Sequence, residues 1–264
     1  MFYNDIIDER AKNSHLTKNT IKIAKGYFEY MNDNRHMMDM DSFLDYIDLI
    51  KPRYSDALRA RSLVCGIMVK DFHDLKANWY GRDANNELLR MCDLEKEAKQ
   101  FMTYDEWKQY EEEMDELFIE QKLYYISLAH YCLVYAFTWH GVERNDLKKM
   151  DFENDIEVRD DDTIIALIES KNKYVEFNNK ALAWILRNEA RDEKFIKQIK
   201  GYGKANARVL NEKYASRKPF NMTLHALYTS GVMYRVSKGE EYIDIGQEQM
   251  VEYYHKIIEI LYKK

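Results

Sequence analysis

The chain has 264 residues with only two prolines and nine glycines, and its net charge at pH 7 is −6. So few turn-forming residues predict a mainly helical protein, long enough for one large domain or two smaller ones. The three cysteines, Cys65, Cys92 and Cys132, lack CxxC spacing, so we expect reduced thiols and neither a metal site nor a cofactor. The N-terminus is acidic where a secretory signal would be basic, which predicts a cytoplasmic protein, nucleoid-associated when bound to DNA.

The charge is unevenly distributed along this acidic chain. Residues 51–70 hold five basic residues and one acid, and residues 187–218 hold ten basic residues and four acids. Residues 93–120 show the opposite bias, with eleven acids and three lysines. Two basic segments in an acidic chain are compatible with a DNA-binding surface on one side of the protein and an acidic, solvent-exposed surface on the other. They are equally compatible with ordinary exposed helix faces.

The first part of the chain predicts an N-terminal arm at residues 1–14 and a helical, DNA-binding domain at residues 15–92. Capping residues and apolar residues at helical spacing define its helices. Lys51-Pro52 ends the second helix, because the residue before a proline avoids the helical conformation. The predicted helices are 17–31 (capped by Thr17 or Asn19), 41–50 (beginning at Asp41), 55–81 (capped by Ser55) and 84–92.

A charged linker at residues 93–102 separates this domain from a second domain at residues 103–264. Thr103 and Glu106 form a capping box, in which each side chain satisfies a free backbone amide of the other residue. This box predicts the start of an acidic surface helix, so the second domain begins where the linker ends.

The uncharged stretch at residues 123–142 carries bulky apolar residues on every face, which predicts a buried central helix ended by Gly141. Its six Tyr, Ser or Thr residues and two His argue against the alternative, a membrane span. Three short strands follow at residues 156–158, 163–169 and 173–177, and the last two are joined by a turn. The remaining predicted helices are 179–189, 192–200, 204–215, 223–237 and 247–262.

Five short motifs follow the buried helix in order. They are H-G-V-E-R-N-D-L at residues 140–147, a turn with Lys171 and Lys173, H-A-L-Y at residues 225–228, I-G-Q at residues 245–247 and Y-Y-H at residues 253–255. With the helical bundle, the linker and the small sheet, this order resembles the tyrosine recombinases, the phage-integrase family, over nearly the whole chain. The resemblance implies that family's two-domain fold, a core-binding bundle and a catalytic-like domain that clamp DNA.

In that family two arginines bind the scissile phosphate, assisted by a lysine and two His or Trp positions, and a tyrosine attacks it. In this chain Glu143 stands at the first arginine position, with Arg144 one residue late, and Tyr228 stands at the second. The other family-equivalent positions are Lys171 or Lys173 in the turn, His225, Gln247 in place of an imidazole, and Tyr253, which arrives a few residues early.

These departures predict that the reaction has been lost. Neither Glu143 nor Tyr228 can offer a phosphate the paired donors of an arginine, and Glu143 repels it. Each lost donor in such a site typically costs about 10² to 10³ in rate. One residue on a helix is about 100° of rotation, so Arg144 points elsewhere.

The first hypothesis is therefore a sequence-specific DNA-binding transcription regulator, similar to integrase-like phage repressors of lysogeny in a bacterial host. Its expected partners are double-stranded DNA, a second copy in a homodimer, and a protein or peptide modulator, but not a membrane. A different reading is a protein-interaction module that uses the acidic helix at residues 105–120 without DNA.

The remaining alternative is an active site-specific recombinase. It would use Arg144 with Arg235 or Arg208 as phosphate clamps, Lys171 as the acid, and Tyr253 or Tyr254 as the nucleophile.

The regulator hypothesis places DNA contacts in both domains. The predicted contacts are Arg53, Tyr54, Arg59, Arg61, Lys70, Arg144, Lys171, Lys173, Lys204, Arg208 and His225. The last predicted helix carries an apolar stripe that includes Tyr253, Ile257 and Leu261. This stripe packs either on its own domain or on a neighbouring protomer.

Overall fold

The computed structural model describes residues 2–12, 16–34, 39–68, 79–80, 82–121, 126–189, 193–201, 217–240 and 251–263. Over these residues the protein is mainly helical with a small antiparallel sheet, which confirms the prediction of a mainly helical protein with a small sheet. The elements are α1 (Phe2–Lys12), α2 (Lys18–Asn34), α3 (Met40–Ile50), α4 (Tyr54–Met68), α5 (Arg82–Met91), α6 (Leu94–Ala98), α7 (Tyr104–Gln121), α8 (Ile126–Trp139), α9 (Arg144–Lys149), β1 (Ile156–Val158), β2 (Thr163–Ile168), β3 (Lys173–Asn178), α10 (Lys180–Glu189), α11 (Glu193–Lys200), α12 (Leu224–Ser237) and α13 (Val251–Tyr262).

The chain forms two compact units. The first contains Met1–Lys99 and Glu248–Ile260, and the second contains Gln100–Gln247 and Leu261–Lys264. The domain limits drawn from the sequence differ from this division most at the last helix. They assign the last helix to the second domain, whereas most of α13 belongs to the first unit because its aromatic residues pack there.

The N-terminal segment of the first unit is a helix, so the predicted arm at residues 1–14 is wrong for most of its length. Ile7 of α1 is fully buried, and the Tyr3 ring stacks on Phe28 of α2 with 4.4 Å between ring centroids. Arg10 Nη2 also donates a hydrogen bond to the Gly66 carbonyl at 2.9 Å. These contacts make α1 part of the first unit's core.

The core of the second unit surrounds α8, as the uncharged stretch predicts. Every residue from 132 to 139 is buried, and Trp139 stacks on Trp107 of α7 with 4.8 Å between ring centroids. Helix α12 packs so closely on α8 that a Cβ at Gly231 would lie 1.9 Å from the Trp139 carbonyl oxygen. In the described part of the chain, no helix is both long and apolar enough to cross a membrane.

The sheet has the strand order β1-β2-β3, and both pairs are antiparallel. Ile168 at the end of β2 pairs with Lys173 at the start of β3. One 3₁₀ turn, Glu169–Lys171, connects them, and Asn172 completes it in the left-handed conformation with φ 46°. Asparagine tolerates this conformation better than most residues, so the sequence fixes a tight turn that carries Lys171.

Candidate functional site

Three of the family-equivalent positions come together in the second unit. Lys171 on the β2–β3 turn donates a hydrogen bond from Nζ to Glu143 Oε1 at 2.9 Å and contacts the Tyr228 hydroxyl oxygen at 3.4 Å. Its ammonium also lies over the Tyr228 ring, 5.6 Å from the ring centroid. Motifs that are far apart in the sequence therefore meet at one place.

The elements around this cluster fix the three side chains to different extents. Tyr228 lies on α12 and is buried, whereas the Glu143 side chain keeps 48% and the Lys171 side chain 27% of its surface exposed. Ser170 Oγ donates a hydrogen bond to Asp146 Oδ1 at 2.7 Å, which ties the turn to α9. Glu143 is the N-cap residue of α9, just before Arg144, which is exposed.

Among the described residues of the cluster, the Glu143 carboxylate offsets the charge of the Lys171 ammonium. A phosphate at this point would meet one ammonium and one phenol, while a carboxylate competes for the same donors. Arginine pairs of the recombinase type would instead present several fixed N–H donors and no opposing acid. Among the described residues, the cluster holds no guanidinium pair of the kind that stabilises a phosphorane.

The residues at the C-terminal end of α8 have structural partners. His140 stacks on Phe177 with 4.3 Å between ring centroids, and its Nε2 is buried without a hydrogen-bond partner among the described residues. Burial, followed by the charges of Arg235 and Lys108, lowers the pKa of His140 to about 3. His140 is therefore a neutral aromatic residue of the core at physiological pH and not a general acid.

Arg235, considered as a phosphate clamp in the recombinase alternative, caps α8 instead. Its Nη1 donates a hydrogen bond to the Trp139 carbonyl at 2.9 Å, and its Nε lies 3.4 Å from Glu240 Oε2. Gly141 lies beside it with φ +99°, and a Cβ there would come within 2.9 Å of Arg235 Nη2. A cation at the C-terminal end of a helix stabilises its free carbonyl groups.

The first unit holds Tyr253, the residue predicted from the sequence resemblance to stand at the nucleophile position. Its hydroxyl donates a hydrogen bond to Glu97 Oε1 at 3.1 Å, and its ring stacks on Tyr54 with 5.2 Å between ring centroids. Glu97 is buried, and its Oε2 accepts hydrogen bonds from the backbone amide and hydroxyl of Ser55, both at 3.2 Å. The stripe residues Tyr253 and Ile257 are therefore packed within their own chain.

This environment is unsuited to nucleophilic attack by Tyr253. Burial first, and then the Glu97 carboxylate, raise the pKa of Tyr253 far above its usual range. Burial also raises the pKa of Tyr254, the other candidate nucleophile. A phenol activated for attack needs a nearby base or cation that favours the phenolate, and Glu97 favours the opposite protonation state.

Among the predicted DNA contacts of the first unit, Arg53 and Tyr54 have structural roles. Arg53 Nε and Nη2 both donate to Asp56 Oδ2, at 2.9 and 2.6 Å. Asp56 is buried, and its Oδ1 also accepts a hydrogen bond from Thr17 at 2.9 Å. Tyr54 is buried against Tyr253.

Arg59 and Arg61 both lie on α4 but differ sharply in solvent exposure. Arg59 is exposed, as predicted, but Arg61 is only 3% exposed, so the expectation that it faces solvent is wrong. Its guanidinium lies 5.2 Å from the Tyr80 ring centroid, and burial lowers its pKa. The α4 face that packs on the core includes position 61, because two residues along a helix is about 200° of rotation.

The remaining predicted contacts are exposed or fall outside the described residues. Lys173 at the start of β3 and His225 on α12 are exposed. Lys70, Lys204, Arg208 and Gln247 lie outside the described residues, as does the predicted helix at 204–215. Exposed lysines on the contacting helices α9 and α11, namely Lys148, Lys149, Lys194 and Lys197, were not singled out from the sequence, although the basic segment at 187–218 pointed to the last two.

The described part of the chain holds no group of three or more His, Cys, Asp or Glu side chains arranged to bind a metal ion. The sequence matches no protein-family model, and comparison with curated proteins and with solved structures found no match.

Proposed function

We propose that this protein is a DNA-binding transcription regulator built on a tyrosine-recombinase-like scaffold that no longer cleaves DNA. The observation that supports this most is the meeting of Glu143, Lys171 and Tyr228 in one cluster. Three of the five motifs that suggested the resemblance meet in this cluster, which has an acid and a phenol at the positions that the resemblance assigns to arginines. The more specific role, a phage-type repressor of lysogeny, rests on the resemblance.

The loss of chemistry is supported by two independent sites. In the part of the chain that the structure describes, the cluster at Lys171 contains no guanidinium, and Tyr253 is a buried phenol hydrogen-bonded to a carboxylate. Recombination needs both a clamped phosphate and an activated tyrosine. A scaffold without either can still bind the duplex, because affinity comes mainly from contacts between basic side chains and backbone phosphates.

Candidate phosphate contacts are the exposed cations on each unit. Arg59 on α4 is exposed and makes no ion pair with any described residue. Lys148 on α9 and Lys197 on α11 are exposed on two helices of the second unit that contact each other. Such cations make the binding depend on salt, since each neutralised phosphate releases condensed counterions.

The test is selection of bound fragments from bacterial genomic DNA, followed by affinity measurements over a range of salt concentrations. We expect Arg59→Gln to weaken binding and to reduce the slope of log affinity against log salt by about 1. Arg90→Gln is the matched control, because Arg90 is also an exposed arginine on a helix of the first unit. Equal effects of the two variants would show that Arg59 does not contact DNA. Absence of any salt-sensitive binding would rule out the proposed function.

A nicked suicide substrate carrying the selected site tests the loss of chemistry. We expect no covalent protein–DNA product with the wild-type protein. A covalent product that disappears in either Tyr253→Phe or Tyr254→Phe would establish the recombinase alternative instead.

A further inference from the structure

A pocket of about 310 Å³ in the second unit is lined by α7 and by the loop at residues 217–222. For comparison, an apolar cavity of about 150 Å³ can hold benzene. Met102, Tyr110 and Met114 form the buried floor of the pocket. Gln109 belongs to the same lining and is exposed, so the pocket opens to solvent at its rim. A concave site with an apolar floor and a polar rim is the usual form of a small-molecule site.

The floor of the pocket favours an aromatic ring. The Phe220 ring meets the Tyr110 ring edge to face, with 5.6 Å between ring centroids. Aromatic rings and methionine sulfur atoms both make favourable contacts with a further ring. Burial raises the pKa of Tyr110 well above its usual range, so this phenol is uncharged at physiological pH. The floor therefore suits an uncharged, planar group.

The charged side chains of the lining are paired with one another. Lys218 Nζ lies 3.0 Å from Glu106 Oε2, and Arg217 Nη2 lies 2.7 Å from Glu113 Oε1. A charged ligand would have to compete with these two ion pairs. The Gln109 amide nitrogen donates to Glu113 Oε1 at 3.1 Å, while its carbonyl oxygen accepts no hydrogen bond from the described residues. The rim thus offers an acceptor to a neutral N–H or O–H group.

We propose that this pocket binds a small, neutral aromatic molecule with one hydrogen-bond donor, of the indole or phenol class. The ring packs on the buried floor, and the donor bonds to the Gln109 carbonyl oxygen. The loop at residues 217–222 is followed directly by Thr223, the N-cap residue of α12, so the molecule contacts the segment that leads into that helix. This inference goes beyond the proposed function, because it concerns a ligand other than DNA.

Calorimetric titration of the whole chain with indole tests the chemistry of the pocket. We expect a Kd below about 1 mM for indole. N-methylindole, which lacks the donor, should bind about fivefold more weakly. Benzoate and protonated benzylamine should bind at least about tenfold more weakly than indole, because an ion must be desolvated beside charges that are already paired. Absence of indole binding, or equal affinity for the neutral and the charged rings, would overturn the proposal.

Two tryptophan variants locate the binding. Gln109→Trp fills the rim with a side chain of the protein itself and should weaken indole binding at least about tenfold. Glu112→Trp is the matched control and should leave the affinity unchanged, because Glu112 is exposed on the same helix but does not line the pocket. Equal affinities of the two variants for indole would overturn the assignment to this pocket.

These titrations contain no DNA, so their outcome is independent of the proposed function. Indole binding by a protein that retains no DNA would overturn only the proposed function. DNA binding by a protein that does not bind indole would overturn only the present inference.

Discussion

Each unit of this protein pairs a predicted DNA-contacting cation with an acid, but the two acids are held differently. In the first unit Arg53 donates twice to Asp56, which is 1% exposed and also accepts hydrogen bonds from Thr17 and Thr20. In the second unit Lys171 donates to Glu143, whose side chain is half exposed. The same pairing of charges therefore occurs in two environments, one with a buried acid and one with an exposed acid.

The burial of the acid decides how much stability is lost when the ion pair is broken. Removing one partner of a buried pair leaves an uncompensated charge in a low-dielectric place, which is costly. Water and salt compensate the partner of an exposed pair, so its loss changes stability little. The Arg53–Asp56 pair is therefore structural, whereas the exposed Lys171–Glu143 pair contributes little to stability.

The largest expected effect is at Asp56, and it tests whether that acid is structural. Asp56→Ala should lower the free energy of unfolding of the first unit by roughly 3 kcal/mol, because Arg53, Thr17 and Thr20 all lose a shared acceptor. Hydrogen exchange of the α4 amides with denaturant would localise the loss to this unit. Asp48→Ala, which removes the exposed partner of Lys51, is the control and should cost at most about 1 kcal/mol. Equal costs would mean that burial does not distinguish the two kinds of acid.

A third acid, Glu97, sharpens the comparison, because it is buried like Asp56 and accepts hydrogen bonds from the neutral groups of Ser55 and Tyr253. Tyr253→Phe removes one hydrogen bond to this carboxylate and should cost about 1.5–3 kcal/mol. Tyr254→Phe is the matched control on the same helix, since the Tyr254 hydroxyl donates no hydrogen bond in the described part of the chain, and should cost about 0.5 kcal/mol or less. Thermal unfolding and denaturant titration measure both variants. If Tyr253→Phe and Tyr254→Phe are equally stable, the Tyr253 hydroxyl has no structural role.

The smallest expected effect on stability is at Glu143. Glu143→Gln should change the free energy of unfolding of the second unit by about 1 kcal/mol or less, because the pair is exposed. The same denaturant titration measures it. A loss as large as that of Asp56→Ala would show that the pair is structural, contrary to the comparison drawn between the units.

Local chemistry made several elements predictable from the sequence. The capping box at Thr103 and Glu106 is present, with the Thr103 amide donating to Glu106 Oε2 at 2.8 Å and the Glu106 amide donating to Thr103 Oγ1 at 3.2 Å. The turn with Lys171 lies where its Ser-Lys-Asn residues predict it. Both signals depend on residues within a few positions of one another, which a single sequence shows directly.

Contacts between distant segments explain what was missed. Nothing near Arg61 in the sequence shows that its side of α4 packs inward. Nor does the local sequence show that Arg53 pairs with Asp56, or that Asp56 also accepts a hydrogen bond from Thr17. The segment at 93–102, predicted as a linker, contains helix α6 and the buried Glu97, whose partner Tyr253 is far along the chain. Such pairings are set by tertiary packing, which overrides local pattern.

The first unit is assembled from both ends of the sequence, since it is closed by Glu248–Ile260 after the intervening chain has formed the second unit. During synthesis, Tyr54 and Glu97 therefore leave the ribosome well before the tyrosine that covers them. At ordinary rates of translation that delay is on the order of ten seconds. In a nascent chain that stops before Glu248, Tyr54 and Glu97 lack the tyrosine that covers them, so the unit whose synthesis begins first is completed only near the end of synthesis.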